Sequence, residues 1–170
     1  MPLWNPSASK HRRPAQMLNR DFKEFAELLN SIGVEYLLVG GYALAAHGCP
    51  RYTGDLDIWV SPTPVNIARL LRAVERFGFG GLGLTEADFL QPEAVIQLGY
   101  PPARIDLLTA IDGVQFDDCY PRRVSMEVGG VALPTIHLSD FRANKLAAGR
   151  AKDLADLESL KGLPDGQSQD

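Results

Sequence analysis

The chain has 170 residues, 45% of them apolar, with a net charge of −4 and an isoelectric point of about 5.4. This length suits one compact domain, and the acidic balance excludes a protein that binds nucleic acid over its whole surface. Two cysteines, no secretory leader and no apolar run near the roughly 20 residues of a membrane span predict a reduced cytoplasmic protein without a membrane segment.

The two ends of the chain differ in composition from the middle. Residues 1–14 hold three prolines and the basic cluster Lys10-His11-Arg12-Arg13, which predicts a mobile arm. Such an arm could contact the phosphates of RNA, although an ordinary solvated terminus is the favoured interpretation. Residues 162–170 are polar and predict a disordered tail. A single domain is expected over residues 15–161, with a helical appendage over about 139–161.

A helix, a strand and a glycine turn open this domain. Apolar residues recur at alternating four- and three-residue steps over 15–32, which predicts an amphipathic helix ended by Gly33. The apolar run Tyr36-Leu37-Leu38-Val39 predicts a buried strand, and Gly40-Gly41 ends it. Residues 42–47 have the composition of a short helix. Backbone N–H groups exposed at such a turn can cradle an anionic phosphate.

A pair of carboxylates marks the next predicted strand, over residues 55–60. Asp55 and Asp57 are two residues apart, so both project from one face of the strand. Like charges this close repel unless a cation lies between them, and paired Asp oxygens suit Mg²⁺. Asp106 supplies a third acid within the strand-like run 103–110. Its carboxylate can join the same face if the two strands are neighbours.

Helices and strands alternate through the rest of the chain. Their predicted extents are a helix over 64–77 capped by Thr63, a helical turn capped by Thr85 and Asp88, antiparallel strands over 94–98 and 103–110, a hairpin over 122–136, and a helical region over 140–160. Ser139 is expected to cap the last region and Gly149 to divide it, while Asp117 and Asp118 are expected in a polar loop. This order predicts an α/β domain with a small mixed, partly antiparallel sheet, flanked by helices and followed by a short C-terminal helical segment.

The last helical region concentrates charge. Lys145, Arg150 and Lys152 are followed closely by two acids, Asp153 and Asp156. Opposite charges at helical spacing commonly form ion pairs in solvent. From spacing alone, the region is interpreted as an exposed helix carrying surface ion pairs.

Four motifs follow one another in the chain: Gly40-Gly41, Arg51-x-Thr53, Asp55-x-Asp57 and Asp106. In that order they resemble the nucleotidyltransferase superfamily with a polymerase-β-like palm, and within it the AbiEii-type toxins and related solo bacterial nucleotidyltransferases. The resemblance extends over roughly residues 34–160, since such relatives also carry a Lys, an Arg and then Asp residues in a late helix. It implies a nucleotidyltransferase fold and Mg²⁺-dependent transfer of a nucleoside monophosphate from an NTP to an acceptor hydroxyl, with release of pyrophosphate.

The same resemblance implies roles for individual residues. The ligands of Mg²⁺ or Mn²⁺ would be Asp55, Asp57 and Asp106, and Asp106 would lie nearest the attacking oxygen as the natural general base. The residues implied in nucleotide binding are Gly40, Gly41, Arg51, Thr53, Lys145 and Asp153. Lys145 is expected to reach the β or γ phosphate, and Asp153 to anchor a neighbouring cation or act near the acceptor.

Three questions about acceptor, partner and activity stay open. The acceptor could be RNA such as tRNA, a protein or a small molecule, because Gly40-Gly41 replaces the Gly-Ser of many members and resembles some aminoglycoside nucleotidyltransferases. The chain could be one component of a toxin–antitoxin pair, either modifying a partner protein or neutralised by one. A degenerate, non-enzymatic nucleotide-binding or interaction module that keeps the acids for structure is a further alternative.

Other side chains near these motifs have simpler interpretations. Arg51 is expected beside the triphosphate, with a pair to Asp55 as the alternative. Trp59 shares the face of the acids and would either stack a base or pack under the site. His47 is interpreted as a helix residue instead of a metal ligand, His137 has no visible partner, and the cysteines lack the spacing of a zinc site.

Overall fold

A computed structural model describes residues 18–164, so the predicted arm over 1–14 and residues 165–170 of the predicted tail lie outside the described range. Within that range, six strands form one sheet: β1 (Tyr36–Val39), β2 (Asp55–Val60), β3 (Val95–Leu98), β4 (Arg104–Leu108), β5 (Val124–Val128) and β6 (Val131–Thr135). The α-helices of the same range are α1 (Arg20–Ile32), α2 (Gly40–Ala46), α3 (Pro64–Val74), α4 (Glu86–Leu90), α5 (Phe116–Cys119), α6 (Leu138–Ala148) and α7 (Ala151–Leu160). Short turns of other helical types cover Glu75–Phe79, Gly80–Leu82 and Tyr120–Arg122.

The sheet is mixed and open, with the strand order β3-β4-β2-β1-β6-β5. β2 and β4 are parallel, as are β1 and β6, whereas the three other neighbouring pairs are antiparallel. The protein therefore has the mixed α/β architecture that the sequence predicts. β2, which carries the paired acids, lies inside the sheet between β1 and β4.

The core forms between the sheet and the helices that pack on it. α1 turns one apolar face inward and buries Phe22, Phe25 and Leu29 completely, and it contacts both α3 and β6. Leu56 and Ile58, on the β2 face opposite the acids, are also fully buried. Each such side chain stabilises the fold by about 1.5–3 kcal/mol. Burial of one face of β2 is what directs the polar residues of that strand to the other face.

Trp59 lies on the acid-bearing face of β2, two residues after Asp57. Its side chain is 1% exposed, and its ring packs edge-on against Phe116 of α5, with the ring centroids 5.2 Å apart. A ring buried in this way cannot stack on a substrate base. The packing interpretation of Trp59 is therefore confirmed.

Several predicted helix ends are confirmed. Gly33 ends α1 with a φ of 82°, and Gly149 separates α6 from α7 with a φ of 62°. Thr63 caps α3 through its side chain, and Thr85 forms a capping box with Asp88 at the start of α4. These signals are readable from sequence because a cap is satisfied by residues within one helical turn.

The predicted starts of two helices are wrong. Within the described residues, the helix predicted over 15–32 begins only at Arg20, because Asn19 caps it by accepting a 2.9 Å hydrogen bond from an N–H of the first turn. The helix predicted over 42–47 begins two residues earlier, at Gly40. Both glycines of the predicted turn therefore lie in the first turn of α2.

The expected cap of the last helical region is also wrong. His137, and not Ser139, caps α6, because Nδ1 of His137 accepts a 3.1 Å hydrogen bond from the backbone N–H of Ser139. This contact also gives His137 the partner that the sequence did not show. Asp117 and Asp118 lie in the short helix α5 and not in a loop.

Two further segments differ from the prediction. The helix predicted over 64–77 is α-helical only to Val74 and continues as a wider turn over Glu75–Phe79, where Gly78 has a φ of 105°. The first residues of the predicted tail are described, and Leu163 packs against the core. None of the helices in residues 18–164 has the length and apolar character needed to cross a membrane.

Candidate functional site

The pairing of β2 with β4 brings the predicted carboxylates together. The strands run parallel, with Asp57 opposite Asp106 and Asp55 opposite Arg104. Side chains alternate along a strand, and residues paired in register share a face, so all four project from one face of the sheet. Because β2 and β4 are neighbouring strands, Asp106 lies on the same face of the sheet as Asp55 and Asp57.

Arg104 lies among these acids and links two of them. Its Nη2 is 2.7 Å from Asp55 Oδ2, and its Nε and Nη2 are 3.0 and 3.2 Å from the two carboxylate oxygens of Asp106. Arg104 is not among the predicted site residues. The signal that could have identified it is its position two residues before Asp106, which places both side chains on the same face of one strand.

Asp57 lies between the glycine turn and the other acids. Its pKa is raised from 3.8 to about 7, first because the carboxyl group is buried and then because Asp106 and Asp55 are close. A Cβ on Gly40 would overlap Asp57 Oδ2, and Gly40 has a φ of 68°. Gly40 is therefore required both by its backbone conformation and by the close approach of Asp57.

The chemistry of these donors suits a hard divalent cation. Three carboxylates share a face, and the proximity of Asp106 and Asp55 adds to burial in raising the pKa of Asp57. Within residues 18–164, however, no group of three or more His, Cys, Asp or Glu side chains is arranged around a metal position. Asp55 and Asp106 are instead arranged around the guanidinium of Arg104. The donor types fit Mg²⁺ or Mn²⁺. In this structure, the carboxylates of Asp55 and Asp106 are oriented toward a cation of the protein itself, the side chain of Arg104.

Thr53 packs over the glycine turn. A Cβ on Gly41 would lie 2.8 Å from the Cβ of Thr53 and 2.9 Å from its Oγ1. The Thr53 hydroxyl also donates a 3.2 Å hydrogen bond to the carbonyl oxygen of Asp55, which ties this loop to β2. A serine at position 41 would therefore collide with Thr53. This contact gives a physical reason for the Gly-Gly form of the turn in this chain.

The charges of the last helical region form a buried ion network. The Nζ of Lys145 is 3.2 Å from Asp153 Oδ1 and 3.0 Å from Asp156 Oδ2, and none of the three side chains is more than 5% exposed. The interpretation of these residues as an exposed ion-pair helix is therefore wrong. Spacing along the chain could not show their burial, because it results from the packing of α6 against α7.

Two arginines extend this network. Arg51 donates to both carboxylate oxygens of Asp156, at 2.9 and 3.1 Å, and Arg150 Nε is 2.7 Å from Asp153 Oδ2. Burial alone would raise the pKa of each carboxyl, but hydrogen bonds from the surrounding cations outweigh it and lower the pKa of both acids. Arg51 therefore pairs with an acid of α7, and not with Asp55 as the alternative interpretation had it. Asp156 was not predicted as a site residue.

One cavity of about 530 Å³ joins these two groups of charges. Its lining includes the carboxylates of β2 and β4 with Arg104, and the cations Lys145, Arg150 and Lys152. It also includes apolar side chains: Val95, Leu108 and Ile111. The size of this cavity is typical of a site for a small ligand, and its mainly polar lining with many charged side chains suits a charged ligand.

Six of the nine predicted site residues line this cavity: Asp55, Asp57, Asp106, Gly40, Lys145 and Asp153. Gly41, Arg51 and Thr53 are outside its lining and act on the turn or on α7. Glu93 and Asp112 line the cavity although no pattern in the sequence marks them. Glu93 has a φ of 53°, a conformation that is strained for a residue other than glycine.

The other reactive side chains have structural contacts. His47 is the C-cap of α2, one residue beyond the end of the helix and not within it as predicted, and its Nε2 lies 2.8 Å from the carbonyl oxygen of Ile136. Cys49 and Cys119 are free thiols. The pKa of Cys119 is raised to about 11, first by burial and then by the neighbouring carboxylate of Asp140. A thiol with a raised pKa is a poor nucleophile at neutral pH.

Comparison with known proteins adds no family assignment. No family model matches the chain, and no curated protein matches it at a significant level. The geometry of the cavity and its charged side chains therefore carries the functional inference.

Proposed function

We propose that the protein is a Mg²⁺-dependent nucleotidyltransferase that moves a nucleoside monophosphate from an NTP to an acceptor hydroxyl and releases pyrophosphate. One observation carries the proposal: Asp55, Asp57 and Asp106 converge on one face of two adjacent strands, in a cavity that Lys145 and Arg150 also line. Converging carboxylates suit a divalent cation, and the nearby cations suit a triphosphate. A nucleotidyltransferase fold with β2 and β4 as its central strands belongs to the same proposal.

The three acids would hold Mg²⁺ or Mn²⁺ once Arg104 no longer pairs with two of them. The bound cation would neutralise charge on the α-phosphate and lower the pKa of the acceptor hydroxyl. Asp57 would give up the proton that its raised pKa favours near neutral pH. Asp106, by the resemblance, would orient the attacking hydroxyl and accept its proton.

Lys145 supplies a fixed positive charge for the phosphates. Its ammonium group has three N–H donors, and Asp153 and Asp156 accept from it at 3.2 and 3.0 Å. One donor is left for the cavity that Lys145 lines. Because both carboxylate partners are buried, the ammonium group is held in position before a substrate arrives.

The acceptor in this proposal is RNA such as tRNA, or a protein, and the chain would then suit one component of a toxin–antitoxin pair. One observation favours a second candidate, transfer to a small amine-bearing acceptor of the aminoglycoside type. Glu93 and Asp112 add two carboxylates to the lining of the same cavity. Acidic walls attract a cationic acceptor and repel an RNA backbone. Incubation with α-labelled NTP and each acceptor class separates the two candidates by the identity of the labelled product.

The proposal is tested first by thermal unfolding with a non-hydrolysable NTP, with and without Mg²⁺. We expect a Mg²⁺-dependent rise in Tm of about 2 °C or more in the wild type, and its loss in Asp57→Asn. Asp117→Asn is the matched control, because Asp117 is an exposed acid of α5 outside the cavity lining. The same rise in Asp57→Asn would remove the metal role of this acid. A rise without transfer to any acceptor would support the non-enzymatic binding module instead.

A further inference from the structure

Arg104 occupies the position in the acid cluster where a cation is needed. Its guanidinium contacts Asp106 through two N–H groups, at 3.0 and 3.2 Å, and Asp55 through one, at 2.7 Å. The two acids come from two strands held in parallel register, so this position is fixed by the sheet. Bidentate pairs of this kind are among the strongest charged hydrogen bonds. Arg104 is thus a built-in counter-cation of the cluster.

A divalent cation would bind the same two carboxylates. Three of their four oxygen atoms, Asp55 Oδ2 and both oxygens of Asp106, now accept hydrogen bonds from Arg104. A guanidinium and a divalent cation at contact distance from the same carboxylates repel one another, and this repulsion is strong where water is partly excluded. The guanidinium and a divalent cation are therefore competitors for one position.

We propose that Arg104 is a positioning residue that closes the acid cluster in the metal-free protein and is released toward the nucleotide phosphates when the metal binds. The inference rests on the proposed function for the identity of the metal and the nucleotide. Arg104 lines the same cavity as Lys145 and Arg150, so a triphosphate there offers the released guanidinium a new bidentate partner. Metal and nucleotide each favour the released position, and they should therefore strengthen one another's binding.

The first test is a calorimetric titration of the protein with Mn²⁺ in the absence of nucleotide. We expect Arg104→Gln to bind Mn²⁺ about tenfold more tightly than the wild type, because the competing cation is gone. Lys152→Gln is the matched control: Lys152 lines the same cavity and acts on Asp57 through its charge. Loss of this charge should change the affinity by less than about threefold. Equal affinities in the wild type and Arg104→Gln, or equal gains in both variants, would overturn the proposal.

Arg104→Lys serves if the neutral variant does not fold. A single ammonium group cannot span two carboxylates as the planar guanidinium does, so its Mn²⁺ affinity should lie between those of the wild type and Arg104→Gln. In protein labelled with ¹⁵N-arginine, the Nε–H signal of Arg104 is the one missing from Arg104→Lys. Saturating Mg²⁺ should shift this signal and speed its exchange with water. An unchanged signal at saturation would show that Arg104 is not released.

The outcomes separate this inference from the proposed function. Mn²⁺ binding that Asp57→Asn abolishes, together with an unmoved Arg104 signal, would overturn the inference alone. Tighter Mn²⁺ binding by Arg104→Gln, with no nucleotide transfer by the wild type, would support the inference and overturn the proposed function. Absence of Mn²⁺ binding in the wild type and in every Arg104 variant would overturn both.

Discussion

At the level of single residues, the electrostatics of Asp57 distinguish this site from an ordinary pair of strand acids. Burial, together with Asp106 and Asp55, raises the pKa of Asp57 to about 7. Arg104 forms ion pairs with those same two neighbours. The cluster therefore combines a carboxyl group of raised pKa with an internal cation, and the proposed metal would have to displace both the proton of Asp57 and the guanidinium of Arg104.

The raised pKa of Asp57 predicts a dependence of stability on pH. This carboxyl titrates near 3.8 when unfolded and near 7 when folded, so the folded state binds more protons between these values. The free energy of unfolding contributed by Asp57 therefore falls as the pH rises through this window. Without divalent cations, Asp57→Asn should be more stable than the wild type at about pH 8, by on the order of 1–3 kcal/mol, and the gain should shrink by roughly half or more at about pH 5. Urea unfolding of both proteins measures the difference, and a gain that does not vary with pH would contradict the raised pKa.

The glycine turn sets a second constraint at the level of residues. Gly41→Ser should lower the free energy of unfolding by about 1–3 kcal/mol, because its Cβ would lie 2.8 Å from the Cβ of Thr53. Thr53→Gly in the same chain should recover part of that loss, since it removes the colliding atoms. Gly81→Ser is the control, because a Cβ on Gly81 meets nothing within 4 Å. Chemical denaturation of the four proteins tests the contact, and equal losses at positions 41 and 81 would refute it.

At the level of elements, α6 and α7 line one side of the cavity and bury the charged side chains of Lys145, Asp153 and Asp156. Lys145 comes from α6, Asp153 and Asp156 from α7, and Arg51 from the loop before β2. Asp156 therefore joins three parts of the chain through one carboxylate. Removal of one partner from a buried pair leaves the other charge without compensation, which costs more than the loss of an exposed pair.

Asp156→Asn should destabilise the protein and also weaken nucleotide binding. We expect a loss of about 2–4 kcal/mol in the free energy of unfolding, because Lys145 and Arg51 both lose a charged partner. Glu158→Gln on the same helix is the matched control: Glu158 forms an exposed pair with Lys161 and should cost less than about 1 kcal/mol. Urea unfolding gives the stabilities, and NTP titration of the folded variants gives the affinities. Similar effects of the two substitutions would show that Asp156 has no special role in positioning Lys145.

At the level of the whole molecule, the order and register of the strands create the site. β2 and β4 are separated along the chain by α3, α4 and β3, yet they pair in parallel with Asp57 opposite Asp106. A shift of one residue in this register would send the side chain of Asp106 to the opposite face of the sheet. The parallel pairing of β1 with β6 likewise anchors the strand after which α6 begins, and α6 carries Lys145. The cavity is therefore a product of long-range pairing.

The sequence by itself determined the features that depend only on residues close to one another in the chain. The αL glycines Gly33 and Gly149 ended helices as predicted, and Thr63 began one. Strand alternation placed Asp55 and Asp57 on one face, because the period of a strand is two residues and apolar neighbours had to be buried. The predicted start of α1 and the predicted cap of α6 are wrong, because residues equally close in the chain, Asn19 and His137, cap these helices instead.

Only the tertiary structure decided which charges meet. The contacts of Arg104 with Asp55 and of Arg51 with Asp156 join residues 49 and 105 positions apart in the chain. Burial of Lys145 beside two acids likewise depends on how α6 packs on α7. Sequence spacing carries no information on such pairs, because their partners are set by the register of the sheet and by helix packing. The physical character of the site, with its raised pKa, internal cation and fixed ammonium group, therefore arises from long-range contacts.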